Sequence, residues 1–220
     1  MRLGDAQNFR TVVFDCDGVL LNSNSIKTSA FHVVASQFGA GPAEEMVRYH
    51  VENGGISRQE KFKYLLSVIL GVESSVDVVS RLCDQYSQEV RAGLMTCAVA
   101  GGLEEARARF GWQRWMVVSG GAQDELRDVF AARDMEDVFD GGIFGNPDDK
   151  VTIFRREVAN GALKLPAVYL GDSRYDHVAA TAVGLDFRFI SRWTEFSEYK
   201  SYCRQSGIQV LDCVADFFAG

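Results

Sequence analysis

Short apolar runs, separated by longer stretches in which apolar residues recur every three or four positions, organise this 220-residue chain. The first run, Val12-Val13-Phe14, ends abruptly at Asp15, Asp17 and Gly18, as a buried strand does where it meets a turn. From Ile26 onward Ala30, Phe31, Val33, Val34 and Phe38 follow helical spacing up to Gly39 and Gly41. Helical character continues to about Leu94, through AEEMVRYHVEN, SRQEKFKYLLSVILG and VDVVSRLCDQYSQEVRAG. Ser57 and Glu60 have capping-box spacing, which predicts a helix opening at Arg58. No strand-like alternation occurs between Asn22 and Leu94. After a short helix following Gly101, a second apolar run (Trp115 to Val118) stops at Ser119-Gly120-Gly121. A helix carrying Leu126, Val129 and Phe130 comes next, then an irregular or extended FDGGIFGNP, then a helix led by Lys150. The third run, Ala167 to Leu170, ends in Gly171, Asp172 and Asp176. Helix HVAATAVG, a strand from Asp186 to Ser191, a polar stretch rich in aromatics and a strand near Ile208 to Leu211 complete the pattern.

Strands alternating with helices predict an α/β fold, a mainly parallel Rossmann-like sheet covered on both faces. The expected division is a core of residues 1–21 and 95–220 with an inserted all-helical domain at 22–94. In such sheets ligands bind beyond the carboxyl ends of the strands. Three apolar runs end at that edge in Asp15 and Asp17, in Ser119, and in Asp172. Chance would not finish three core strands that way.

Composition narrows the partners. With 47% hydrophobic residues the chain can bury a large core, and its net charge of −7 argues against nucleic acid, which requires a basic surface. An acidic protein still binds a small phosphate where a metal or local cation reverses the field. The opening MRLGDAQNFR lacks the apolar core of a signal peptide, and no apolar stretch is long enough to span a bilayer. The cysteines Cys16, Cys83, Cys97, Cys203 and Cys213 are odd in number and lack paired spacing, so reduced thiols and a cytoplasmic location are expected. Cys16 should turn away from its acidic neighbours and pack. Oligomeric state is not legible here.

The chemistry follows from what the strand ends carry. Asp15 and Asp172 could form a hard oxygen cage of the kind Mg²⁺ takes, completed by water and substrate phosphate oxygens. Ser119 with the amides of Gly120 and Gly121 precedes a helix and could cradle an anion, and Lys150 could add positive charge. Together these groups describe phosphoryl transfer, in which positioning and charge neutralisation carry the catalysis. Asp15 could attack phosphorus, and Asp17 could protonate the leaving alcohol and then deprotonate water. Asp176 lies four residues past Asp172, on the same side of a helix starting there; the helix dipole alone also favours an acid at that place.

Asp15-Cys16-Asp17-Gly18-Val19, Ser119, Lys150 and Gly171-Asp172-Ser173-Arg174-Tyr175-Asp176, in that order, resemble the four motifs of the haloacid dehalogenase (HAD) superfamily. The resemblance implies Asp15 as nucleophile and Asp17 as general acid/base, with its backbone carbonyl at the metal. It implies Ser119 and Lys150 on the phosphoryl group, Asp172 as a ligand of Mg²⁺, and Asp176 at the metal or supporting Lys150. It also implies that the helical insertion is a cap over a small phosphorylated metabolite. Asp17 points away from the dehalogenase and phosphonate-cleaving branches, toward phosphatases and phosphomutases. The expected activity is hydrolysis of a phosphoglycolate- or sugar-phosphate-class monoester; a β-phosphoglucomutase-like mutase and a non-catalytic binding module are the alternatives. In the cap, Gly54-Gly55 permits a tight turn from which Arg58 could reach a substrate anion. Lys61 lies one turn on, while His50, Asp148 and Asp149 read as surface groups.

Overall fold

The computed structural model describes residues 5–219. The expectation for the N-terminal segment therefore falls partly, at residues 1–4, outside the described residues. Strand β1 (Thr11–Phe14) leads into helices α1 (Asn24–Ser36), α2 (Ala40–Glu52), α3 (Arg58–Tyr64) and α4 (Val76–Thr96), with one π-turn, Leu65–Ile69, after α3. Then follow α5 (Leu103–Arg109), β2 (Arg114–Ala122), α6 (Gln123–Ala132), β3 (Ile143–Asn146), α7 (Lys150–Ala159) and β4 (Ala167–Gly171). The chain ends with α8 (Arg174–Thr181), β5 (Asp186–Ile190), α9 (Tyr199–Ser206), β6 (Gln209–Leu211) and α10 (Val214–Phe218).

The six strands form one sheet, ordered β3-β2-β1-β4-β5-β6, and every neighbouring pair is parallel. The central strands read as unbroken apolar runs because both faces are covered. Val12, Phe14, Trp115, Val117, Val168 and Leu170 pack into a core continuous with the helical insertion, whereas Val13, Met116, Val118 and Tyr169 pack on the other face with Ile153, Phe154, Ala179 and Ala180. Cys16 is buried in the first of these cores, turned from its acidic neighbours. No described helix is long and apolar enough to cross a membrane.

Local readings were amended where tertiary packing supplied partners. Gly41 does not end a helix; it sits in the first turn of α2, after the break at Gly39, where φ is +111°. Ser57 caps α3 at the expected place by accepting from the Glu60 amide, but Glu60 pairs with Lys63 rather than returning a bond to Ser57. The strand expected to stop at Ser119 runs on to Ala122, with a register shift against β3 between Val118 and Ala122. FDGGIFGNP contains the edge strand β3, and helices α9 and α10 form where the sequence suggested only a polar, aromatic stretch and a chain end.

Candidate active site

Register brings the acids together. Phe14 is aligned with Val117 on one side and Leu170 on the other, so Asp15, Ser119 and Asp172 emerge at the same carboxyl edge. The Asp15 amide donates to the Leu170 carbonyl at 2.9 Å, fixing the exit from β1. Gly18, at φ +74°, permits the close approach that follows: a Cβ there would lie 2.1 Å from Asp172 Oδ2. Asp15, Asp172 and Asp176 are all buried and can offer oxygens within 4.8 Å of one another.

Lys150 opens α7 with its ammonium buried behind these acids, 2.5 Å from Asp176 Oδ1, 2.9 Å from the Tyr169 hydroxyl and 3.0 Å from Asp15 Oδ1. Burial alone would lower its pKa, but Asp15 and Asp176 more than offset that and hold it above the ordinary value. Asp149 is not an idle loop acid: it caps α7 by accepting from the Thr152 amide, and Asp148 pairs with Arg156. Both oxygens of Asp176 are occupied, Oδ1 by Lys150 and Tyr169, Oδ2 by the Asp172 and Ser173 amides and the Ser173 hydroxyl. Those bonds make Asp176 the acid that ties Lys150 to the loop at Asp172.

Asp15 and Asp172 are the less satisfied pair. Asp15 Oδ1 is buried without a well-directed hydrogen bond, even beside Lys150. Burial, opposed by Lys150 and reinforced by Asp176 and Asp17, pushes the Asp15 carboxyl up to about 7. Burial with Asp176 and Asp15 nearby raises Asp172 well above the usual carboxylate range, against one bond from the Asn24 amide at 2.8 Å. Three buried carboxyl groups share one ammonium, and the oxygens left free on Asp15 and Asp172 are hard donors. That donor set fits Mg²⁺.

The side chain of Asp17 lies apart from this cluster. It accepts from Ser23 Oγ at 2.6 Å and from Lys27 Nζ at 2.5 Å. Burial would raise its pKa, yet Lys27 and Ser23 hold it below the ordinary value. Ser119 is buried, its hydroxyl accepting from the Gly121 amide at 3.1 Å, while Gly120 and Gly121 line the cleft. The start of α6 stands off by the extra strand residues, so Gly120 and Gly121 rather than the helix end face the cleft.

The cap closes over this edge and leaves a cavity of about 250 Å³. Its Gly54-Gly55 turn rests on Ser173 and Tyr175, and a Cβ on Gly120 would meet the Gly55 carbonyl at 2.4 Å. Arg58 does line the cavity, but its guanidinium grips Glu125 of α6 with both terminal nitrogens and also donates to Ser87. Replacing Glu125 with Ala should strand this buried cation and destabilise the closed fold by about 2 kcal/mol, lowering Tm by several degrees in a thermal melt.

Basic residues in the cap occupy positions that the helical pattern reserves for core. Lys27 stands in the inward stripe of α1 with Ala30, Phe31 and Val34; Lys61 stands with Phe62 and Leu65 in that of α3. His50, expected at the surface, is instead half-buried in the cavity wall, 4.5 Å from the Phe31 ring, with Nδ1 2.6 Å from Lys61 Nζ. Asn24 falls in the turn-rich stretch before the helical pattern that starts at Ile26, whereas Lys27 falls inside that pattern, where a lysine within an apolar stripe is the detectable signal. Burial and neighbouring Lys27 bring the Lys61 ammonium down to about 7 from an ordinary 10.5. The folded chain therefore binds fewer protons than the unfolded chain between those values, so the Lys61 contribution to stability improves as pH rises from 7 toward 10.5. Lys61→Met should accordingly be more stable than the native chain by about 1–3 kcal/mol below pH 7, with the gap narrowing above it. Chemical denaturation at several pH values measures this.

No family model and no curated protein matches the chain. Solved structures do. A HAD hydrolase of family IA from Entamoeba histolytica superposes with TM-score 0.72 at 13% identity, covering 95% of this chain and 97% of that one. A predicted phosphatase from Clostridium acetobutylicum gives 0.73 at 16%, covering 96% of each chain. CbbY from Rhodobacter sphaeroides, solved with phosphate, gives 0.67 at 17%, covering 95% of this chain and 99% of that one. At these identities the likeness is one of fold, and it spans nearly the whole chain, cap included.

Proposed function

We propose, starting from a fold shared with HAD hydrolases and four motifs in their order, that the protein is a Mg²⁺-dependent phosphatase of a small phosphate monoester. One observation carries the reading: the Asp15 carboxylate, buried with an oxygen lacking a directed hydrogen bond, stands beside Asp172 and in front of Lys150. In this reading Asp15 and Asp172 hold the metal, which when bound supplies positive charge to the phosphoryl oxygens and to the crowded carboxylates.

Asp15 attacks phosphorus, forming an aspartyl phosphate as the P–O bond to the alcohol breaks. Lys150 offsets charge at that oxygen, and Asp176 with Tyr169 keeps the lysine from swinging away. The Ser119 hydroxyl and the Gly120 and Gly121 backbone shape the place where the phosphoryl group rests. Asp17 then removes a proton from the water that cleaves the aspartyl phosphate; bound to Lys27 and Ser23, it is ionised and ready for that half-reaction. To donate a proton to the leaving alcohol, Asp17 must first loosen from Lys27 and take up a proton from solvent, and since Lys27 rides on the cap, cap movement is the natural means. Asn24 ties the same cap helix to Asp172. A closed cap thus links substrate position to the state of the general acid/base.

The test is phosphate release from small monoesters with Mg²⁺, with Ca²⁺ and with chelator. Turnover with Mg²⁺ that falls by about 10-fold or more in Ca²⁺ is expected, because the looser shell of calcium misplaces the attacking oxygen. Equal turnover in chelator refutes the metal dependence. Hexose 1-phosphate converted to an isomeric sugar phosphate, without free phosphate, would identify a mutase instead.

A further inference from the structure

Each cap cation facing the cavity has a carboxylate partner among the described residues except one. Arg58 is held by Glu125 and Lys27 by Asp17. Lys61 is only 2% exposed, lines the cavity with Asp15, Asp17 and Asp172, and has no carboxylate within 4.0 Å among the described residues. Its polar partner is the neutral acceptor His50 Nδ1, and the Phe31 ring lies 5.4 Å from its nitrogen. An ammonium can donate three hydrogen bonds, so two directions stay open beside the cavity. Of the other charged groups on that side, Asp17 is engaged by Lys27 and Ser23 and Glu195 by Thr28 Oγ1 at 2.6 Å, while the exposed Glu52 and Arg174 also line the cavity, neither of them within hydrogen-bond reach of Lys61.

A buried ammonium without a counter-ion is destabilising, and a methionine or leucine would fill the same stripe of α3 without that penalty. The position makes sense if its counter-ion arrives with the substrate. We infer that Lys61, oriented by His50, is the receptor for a second anionic group of the substrate, a carboxylate or a second phosphate at the end remote from the scissile ester. This deepens the phosphatase reading and rests on it: the scissile phosphate sits at Asp15 while the far anion reaches the cap. The cavity volume of about 250 Å³ suits a compact molecule spanning the two ends. A second anion also offsets the repulsion between Lys27 and Lys61. The cap would then discriminate acid-bearing phosphate esters from neutral polyol phosphates, because an uncharged hydroxyl leaves Lys61 without its counter-ion.

Matched esters test this. kcat/KM is measured in Mg²⁺ for 2-phosphoglycolate, ethane-1,2-diol bisphosphate and 2-hydroxyethyl phosphate, and for the three-carbon pair 3-phosphoglycerate and glycerol 3-phosphate. At least one acid-bearing ester should exceed its hydroxyl partner by about 10- to 100-fold, and Lys61→Met should collapse that ratio by a similar factor. Which anion wins tells carboxylate from phosphate. A native ratio near one, or a ratio untouched by Lys61→Met, overturns the inference. Calorimetric binding of the same esters to Asp15→Asn, with and without Lys61→Met, reads the subsite without turnover. Acid preference there with no phosphate release from the native chain would sustain the subsite and refute the phosphatase. Absence of preference in both assays refutes the subsite alone.

Discussion

Asp15→Asn should lower phosphate release by at least about 10⁴-fold while the chain stays folded. The amide has the same shape, so packing at the end of β1 is undisturbed, but its oxygen is a poor nucleophile toward phosphorus. The change also takes one negative charge from a buried cluster in which Asp15, Asp172 and Asp176 crowd within 4.8 Å. Thermal stability without metal should therefore hold or rise, and the gain in Tm produced by Mg²⁺ should shrink. Acid-quenched native protein, incubated with labelled substrate, should retain label on Asp15, and the variant should retain none. Residual turnover within about 10-fold of native would remove Asp15 from its assigned role.

Lys150→Met acts on stability and turnover together. The ammonium is 1% exposed and touches Asp15, Asp176 and the Tyr169 hydroxyl. Its loss leaves two buried carboxylates facing one another, a defect of about 3–5 kcal/mol that corresponds to a fall in Tm of about 10 °C. The sign of the pH dependence follows from Asp15, already raised to about 7 by burial despite Lys150. Without the lysine the folded carboxylates bind protons more readily still, so the folded state holds more protons than the unfolded one above the ordinary carboxylate range. Stability then falls as pH rises, and the deficit against the native chain is larger at pH 8 than at pH 5. Turnover should drop by about 10²–10³-fold, the scale of losing one preorganised charge partner. Equal melting curves for the two proteins would mean that Lys150 is not the counter-ion of this cluster.

How much of this was legible in the chain differs from place to place. Asp15, Asp172 and Lys150 could be picked out because each ends a strand or opens a helix at one edge of a parallel sheet, a place that topology reserves for ligands. The start of α3 at Arg58 was legible because a cap bond is local. His50 was misjudged, and Lys27 and Asn24 were passed over, because what they meet lies on other elements: Phe31 and Lys61 for His50, Asp17 for Lys27, Asp172 for Asn24. Arg58 was read as reaching for substrate, and only the packed structure shows α6 supplying Glu125 to it.

By itself the sequence determined the alternation of strand and helix, the insertion after β1, and the row of acids at the strand ends, since these depend on short-range periodicity and turn chemistry. Tertiary structure decided which acid keeps an unsatisfied oxygen, which cations already have carboxylate partners, and that among the described residues Lys61 has no such partner. Those are properties of distance and burial between segments far apart in the chain, and no local pattern encodes them.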